Sequence, residues 1–182
     1  MSELLNCSVT EATDIKARYF STMPEARTFI NTVYQVIKMR GFVKNYYGRR
    51  RRLDSDDCYK APNSLIQGCA ADYIKHKVVD IYKYLCYNHL ETHMINIVHD
   101  ELIFDVNNDE LEHVPVLRWL MSEFKDFRCP ITAGVEYGDP SWGHKVEPDN
   151  IGFKEPANFD YLSYNVFDGS VFDINKEDKN AQ

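Results

Sequence analysis

Met94-Ile95-Asn96-Ile97-Val98, His99-Asp100-Glu101 and Leu102-Ile103-Phe104-Asp105-Val106 follow one another without a break: two apolar, β-prone runs flank a polar triplet. That pattern predicts an antiparallel hairpin with its chemistry at the tip. A carboxylate pair beside a histidine at a tight turn offers hard oxygen ligands. Mg²⁺ prefers such ligands, together with water and substrate phosphates. Adjacent side chains on a strand point opposite ways, so Asp100 and Glu101 need not hold one ion together. A His-Asp-Glu turn can equally be surface decoration. Its place between apolar strands favours a role, because a bare charge there is costly unless it is used or solvated.

Upstream, Ile66, Ala70, Ile74, Val78, Ile81 and Leu85 recur at helical spacing and predict a long amphipathic helix. Asn63 and Gln67 share one face of its start. Both carry amides, which donate and accept at once and can read the acceptors of a minor groove without sequence preference. Spacing alone also fits a capping and packing motif. Before them, residues 54–62 read as a polar loop, and Phe42 to Arg50 as strand, turn and short strand. Ala12, Ile15, Tyr19, Phe20 and Met23 predict a first helix. Pro24 opens a second, through Phe29, Ile30, Val33 and Ile37, that stops at Gly41. Downstream, Asn108 or Asp109 can cap a helix through Leu111, Leu117, Leu120, Met121 and Phe124, with Pro115 as a possible kink. Residues 131–137 read as a further strand.

The chain has 182 residues, 44% hydrophobic and 13% aromatic, enough for a sizeable core. No stretch approaches the roughly 18 apolar residues of a membrane span, so no membrane association is expected. No secretory signal opens the sequence, and the five cysteines form no CxxC pair, which fits a reducing cytoplasm. The net charge of −7 hides an asymmetry: residues 38–52 carry +7 with no acid, while residues 146–182 carry −5. A concentrated cationic segment in an acidic chain is an electrostatic footprint for phosphate. The acidic stretch also holds Phe153, Phe159, Tyr161, Tyr164, Phe167 and Phe172, which suggests an extended, partner-docking tail over residues 146–182.

Five segments in the family's order resemble family A DNA polymerases, the bacterial DNA polymerase I and phage replicase group. Gly41-Phe-Val-Lys-Asn-Tyr-Tyr-Gly48-Arg49-Arg50-Arg51 is similar to the family's GYVxTxxGRRR segment. Asn63-Ser-Leu-Ile-Gln67-Gly68-Cys-Ala70-Ala71-Asp72 resembles NxPxQGTAAD, and Val98-His99-Asp100-Glu101-Leu102 resembles motif C, VHDEL. Arg18-Tyr19-Phe20 to Pro24 resembles the YFxxYP that precedes them, and Phe127-Arg128-Cys129-Pro130 to Trp142 the phage-type C-terminal region. The likeness covers about residues 5–145.

The resemblance implies an α+β fold: an antiparallel hairpin palm sheet with packed helices, residues 1–145 forming a C-terminal palm and partial fingers. It implies DNA-directed nucleotidyl transfer with two Mg²⁺ ions. Asp100 would be the motif C ligand and Glu101 its catalytic neighbour. His99, Gln67 and Asn63 would contact the primer–template, with Arg49, Arg50 and Arg51 near its phosphates. The family often carries Arg four residues before the Asn; here Tyr59 stands there with Lys60 beside it, so Lys60 joins the DNA-binding candidates. Motif A and motif B do not occur in the sequence, which begins just beyond where motif B would end. The expectation is therefore a split polymerase subunit, encoded by a bacteriophage and working in the host cytoplasm. It would be inactive alone and would need dNTP, primer–template DNA and a second polypeptide carrying thumb, motif A and motif B. A competing reading is a non-catalytic nucleic-acid-binding accessory protein or decayed fragment. An HD-type phosphohydrolase is disfavoured because its His-Asp pair sits on helices.

Overall fold

The computed structural model describes residues 6–122, 127–138, 141–148 and 151–163. It is α+β and divides into two compact units, residues 1–72 and 73–182, with the boundary inside one long helix.

In the first unit, α1 (Val9–Thr22) starts at a capping box. Ser8 Oγ accepts the Glu11 N–H at 3.2 Å, and the Glu11 carboxylate accepts the Ser8 N–H at 2.9 Å, so each residue satisfies an otherwise orphaned donor. Pro24 opens α2 (Pro24–Arg40), where its missing N–H costs nothing. Gly41 ends α2 at φ 71°, and Gly48 turns the following hairpin at φ 87°; both values favour glycine. That hairpin pairs β1 (Phe42–Lys44) with β2 (Arg50–Arg52), Val43 opposite Arg51. Val33, Ile37, Val43 and Ala61 form the core of the unit, with Leu53, Cys58 and Leu65 packed on it.

The expected polar loop at 54–62 is instead a 3₁₀ turn (Ser55–Lys60) running into α3 (Ala61–Tyr87). Pro62 is the second residue of α3, a position that tolerates proline, so the helix starts earlier than the polar composition suggested. The apolar stripe read along α3 holds at Ile74, Ile81 and Leu85, which are buried, but Ile66 is 63% exposed.

In the second unit, β3 (His93–Val98) and β4 (Glu101–Asp105) form the predicted antiparallel hairpin, with an irregularity at Ile95. Met94, Leu102 and Phe104 pack against a core of Ile81, Tyr84, Leu85, Val116, Leu117, Leu120 and Tyr161. The next segment is not one helix. Asn107 caps a 3₁₀ turn (Asn108–His113), and α4 (Val114–Ser122) follows. Pro115 falls in the first turn of α4 and produces no kink; Phe124 lies outside the described residues.

Of the expected 131–137 strand only Tyr137 is paired, within β5 (Tyr137–Gly138), which pairs with β6 (Lys145–Val146). The Ala133 N–H donates to Ser122 Oγ at 2.9 Å and its carbonyl accepts from Arg118 Nε at 2.8 Å. These side chains of α4 take the bonds a strand ladder would have used. Among the described residues the strands therefore form two-stranded pairs, β1 with β2, β3 with β4 and β5 with β6.

Within residues 151–163 the acidic stretch lies against its own unit. Phe159 stacks 5.9 Å from Trp119, Lys83 Nζ donates to the Leu162 carbonyl at 2.7 Å, and Tyr161 is 2% exposed. Tyr164, Phe167 and Phe172 lie outside the described residues.

Candidate functional site

In the second unit, His99 and Asp100 are the two turn residues between the last β3–β4 pair, Val98 and Glu101. His99 adopts φ 57°. Two-residue hairpins need such left-handed backbone, because it matches the twist of the strands, and they usually place glycine or asparagine there. Histidine at positive φ costs roughly 1–2 kcal/mol. Strain of this kind concentrates at functional positions. His99→Gly is accordingly expected to keep or raise the melting temperature. A clear drop in melting temperature by calorimetry would contradict the strained turn.

The Asp100 side chain is exposed and has no hydrogen bond or ion pair among the described residues. Its carboxylate is thus available as a hard oxygen donor, which fits Mg²⁺. Glu101 differs. Lys145 Nζ donates to Glu101 Oε1 at 2.5 Å and also lies 3.0 Å from Glu136 Oε2. Trp142 Nε1 approaches the same Glu101 oxygen at 3.5 Å. The hydrogen bond from Lys145 holds the Glu101 carboxyl below the usual range, reinforced by Trp142, and those carboxylates raise the Lys145 ammonium. No group of three or more metal-ligating side chains occurs among the described residues.

In the first unit, Asn63 and Gln67 share one exposed face of α3 as predicted, and Asn63 Nδ2 donates to Gln67 Oε1 at 3.0 Å. Lys60 is held by Asp57 at 2.8 Å, which raises its ammonium, so its charge is already partnered. Arg50, Arg51 and Arg52 lie exposed along β2, with the Arg50 guanidinium 5.1 Å from the Phe42 ring. Arg49 alone of the run is tied to a buried carboxylate, Asp72.

The sequence patterns assign no role to Asp72, Asn45, Trp142 or Lys145. The signal for Asp72 was a carboxylate immediately preceding the buried Tyr73 and Ile74 on a helix; Lys145 meets Glu101 only through the tertiary fold.

The family model of DNA polymerase family A matches residues 1–144, and the chain belongs to that family. Among its relatives is DNA polymerase I of Geobacillus stearothermophilus, 29% identical over 153 residues, covering 78% of this chain and 17% of the relative. DNA polymerase I of Mycobacterium bovis is 31% identical over the same length, with coverage of 78% and 17%. The chain thus spans about a sixth of the length of these relatives. A solved structure, the POL domain of Pol1 from M. smegmatis in complex with DNA primer-template and dNTP, is similar with a TM-score of 0.61 and 28% identity, covering 66% of this chain and 23% of that one. No helix among the described residues is long and apolar enough to cross a membrane.

Proposed function

We propose that this chain is one part of a template-directed DNA polymerase, supplying the motif C ligand and primer–template contacts for nucleotidyl transfer. Residues 1–145 serve as palm and partial fingers, with 146–182 as an appended segment. Motif A, motif B and the thumb come from a second polypeptide, as in a split phage enzyme working in the host cytoplasm. The observation that carries the reading is the exposed Asp100 carboxylate in the turn of β3 and β4, inside the family match.

Asp100 would hold Mg²⁺ through a carboxylate oxygen, and the ion would supply positive charge to a primer 3′-oxygen and to the leaving pyrophosphate. Asp100 provides an oxygen ligand, and Glu101 stands beside it as a catalytic helper. His99 at the turn meets the primer–template, as do Asn63 and Gln67 on α3, while Lys60 and the run containing Arg49, Arg50 and Arg51 lie near its phosphates. Contacts of this kind fix the register of a duplex without choosing its sequence. The M. smegmatis POL domain carries primer-template and dNTP, which supports the same substrates here. Support for a partner strand comes from the hairpin itself. It pairs with no further strand among the described residues, and β3 exposes Ile95 at 62% and Ile97 at 46%. Open apolar edges of this kind invite pairing with another strand.

Primer extension tests the reading. The purified chain is expected to add no nucleotide with Mg²⁺, dNTP and primer–template. Addition of a polymerase piece bearing motifs A and B is expected to give Mg²⁺-dependent extension. Robust extension by the chain alone would refute the split arrangement.

A further inference from the structure

Asp72 sits on α3 with its side chain 8% exposed, and its two oxygens are engaged separately. Asn45 Nδ2 donates to one at 2.7 Å, and the Arg49 guanidinium donates to the other. Asn45 faces back as well: its Oδ1 accepts the Arg49 N–H at 2.9 Å, and its own N–H donates to the Arg49 carbonyl at 3.0 Å. The Gly48 N–H closes the turn on the Asn45 carbonyl at 3.0 Å. One buried carboxylate therefore pins both ends of the Tyr46–Tyr47–Gly48 turn to the helix. Burying a carboxylate is tolerated only with this kind of pairing and hydrogen bonding. The consequence is electrostatic. Arg49, though its side chain is 54% exposed, is paired with the buried Asp72 carboxylate, whereas Arg50, Arg51 and Arg52 extend along an exposed strand with no ion pair among the described residues.

We propose that Asp72 is a positioning residue and Arg49 its internal counter-charge, so that phosphates are met by Arg50–Arg52 and not by Arg49. The inference rests on the nucleic-acid reading above and narrows it: within the arginine run, Arg49 shapes the hairpin and its neighbours do the binding. It also gives Asp72 a part in DNA binding that no direct contact would show.

The slope of log affinity against log salt counts phosphate contacts, at about 0.9 per contact. Binding of the full chain to primer–template is measured from about 50 to 200 mM salt. Arg50→Gln and Arg51→Gln are each expected to lower the slope by about 0.9. Arg49→Gln is expected to leave it unchanged while lowering the melting temperature more than either neighbour. Asp72→Asn keeps the shape and an acceptor oxygen but releases Arg49, and is expected to steepen the slope by up to about 0.9. A slope lowered by Arg49→Gln as much as by Arg51→Gln overturns the inference and leaves the nucleic-acid reading standing. A slope unmoved by all three arginine substitutions overturns both. Should Asp72→Asn fail to fold, the comparison of Arg49 with Arg51 decides alone.

Discussion

Replacing Asp100 with alanine is expected to reduce nucleotide incorporation by the assembled polymerase by about 10³-fold or more, with primer–template affinity changed less than about threefold. The asymmetry follows from what the side chain does. Asp100 is exposed and bound to nothing else among the described residues, so its loss removes no packing and breaks no internal bond. In the proposed role of ion ligand it would act on the transition state. Metal stabilisation of developing charge is worth several kcal/mol, and each ~1.4 kcal/mol is tenfold in rate. Phosphate contacts, which dominate affinity, lie elsewhere. Steady-state incorporation alongside a binding isotherm checks this. Near-normal incorporation would end the metal assignment, and a parallel collapse of DNA binding would make Asp100 a binding residue.

The second large effect lies outside the family match. Tyr161→Ala is expected to destabilise the protein by about 3–5 kcal/mol, as for other fully buried aromatics. For a chain of this size that lowers the melting temperature by roughly 6–20 °C. Tyr161 is 2% exposed, belongs to the core with Leu117 and Leu120, and meets Tyr84 edge-to-face at 5.5 Å. Leu162→Ala serves as the control. Its side chain is 42% exposed, and Lys83 binds only its backbone carbonyl, so a change near zero is expected. Equal melting temperatures for the two variants would show that residues 151–163 are not part of the folded core.

The hairpin was legible because two short apolar runs around a polar triplet admit few other arrangements, and the structure pairs Val98 with Glu101 as that pattern requires. Local signals also carried α1 and α2, through Pro24 and Gly41 at the boundaries of α2. The errors have a common physical source. Residues 131–136 are β-prone in composition, yet the backbone of Ala133 bonds to Arg118 and Ser122, partners that composition cannot reveal. The polar composition of residues 54–62 reads as loop, although Pro62 suits the first turn of α3. At the site, adjacent candidates were visible: His99, Asp100 and Glu101 share one tip, and Asn63 meets Gln67 one turn on. Long-range pairings were not. Lys145 reaches Glu101 across 44 positions, and Arg49 reaches Asp72 across 23. Sequence order gives no hint of either contact.

Iron-directed cleavage tests the central claim at the residue concerned. Fe²⁺ replaces Mg²⁺ in the assembled polymerase on primer–template, and peroxide then cuts the backbone nearest the bound ion. The account predicts cuts in this chain centred on His99, Asp100 and Glu101, and their loss in Asp100→Asn. Cuts centred elsewhere in the chain, or an unchanged pattern in Asp100→Asn, would contradict it.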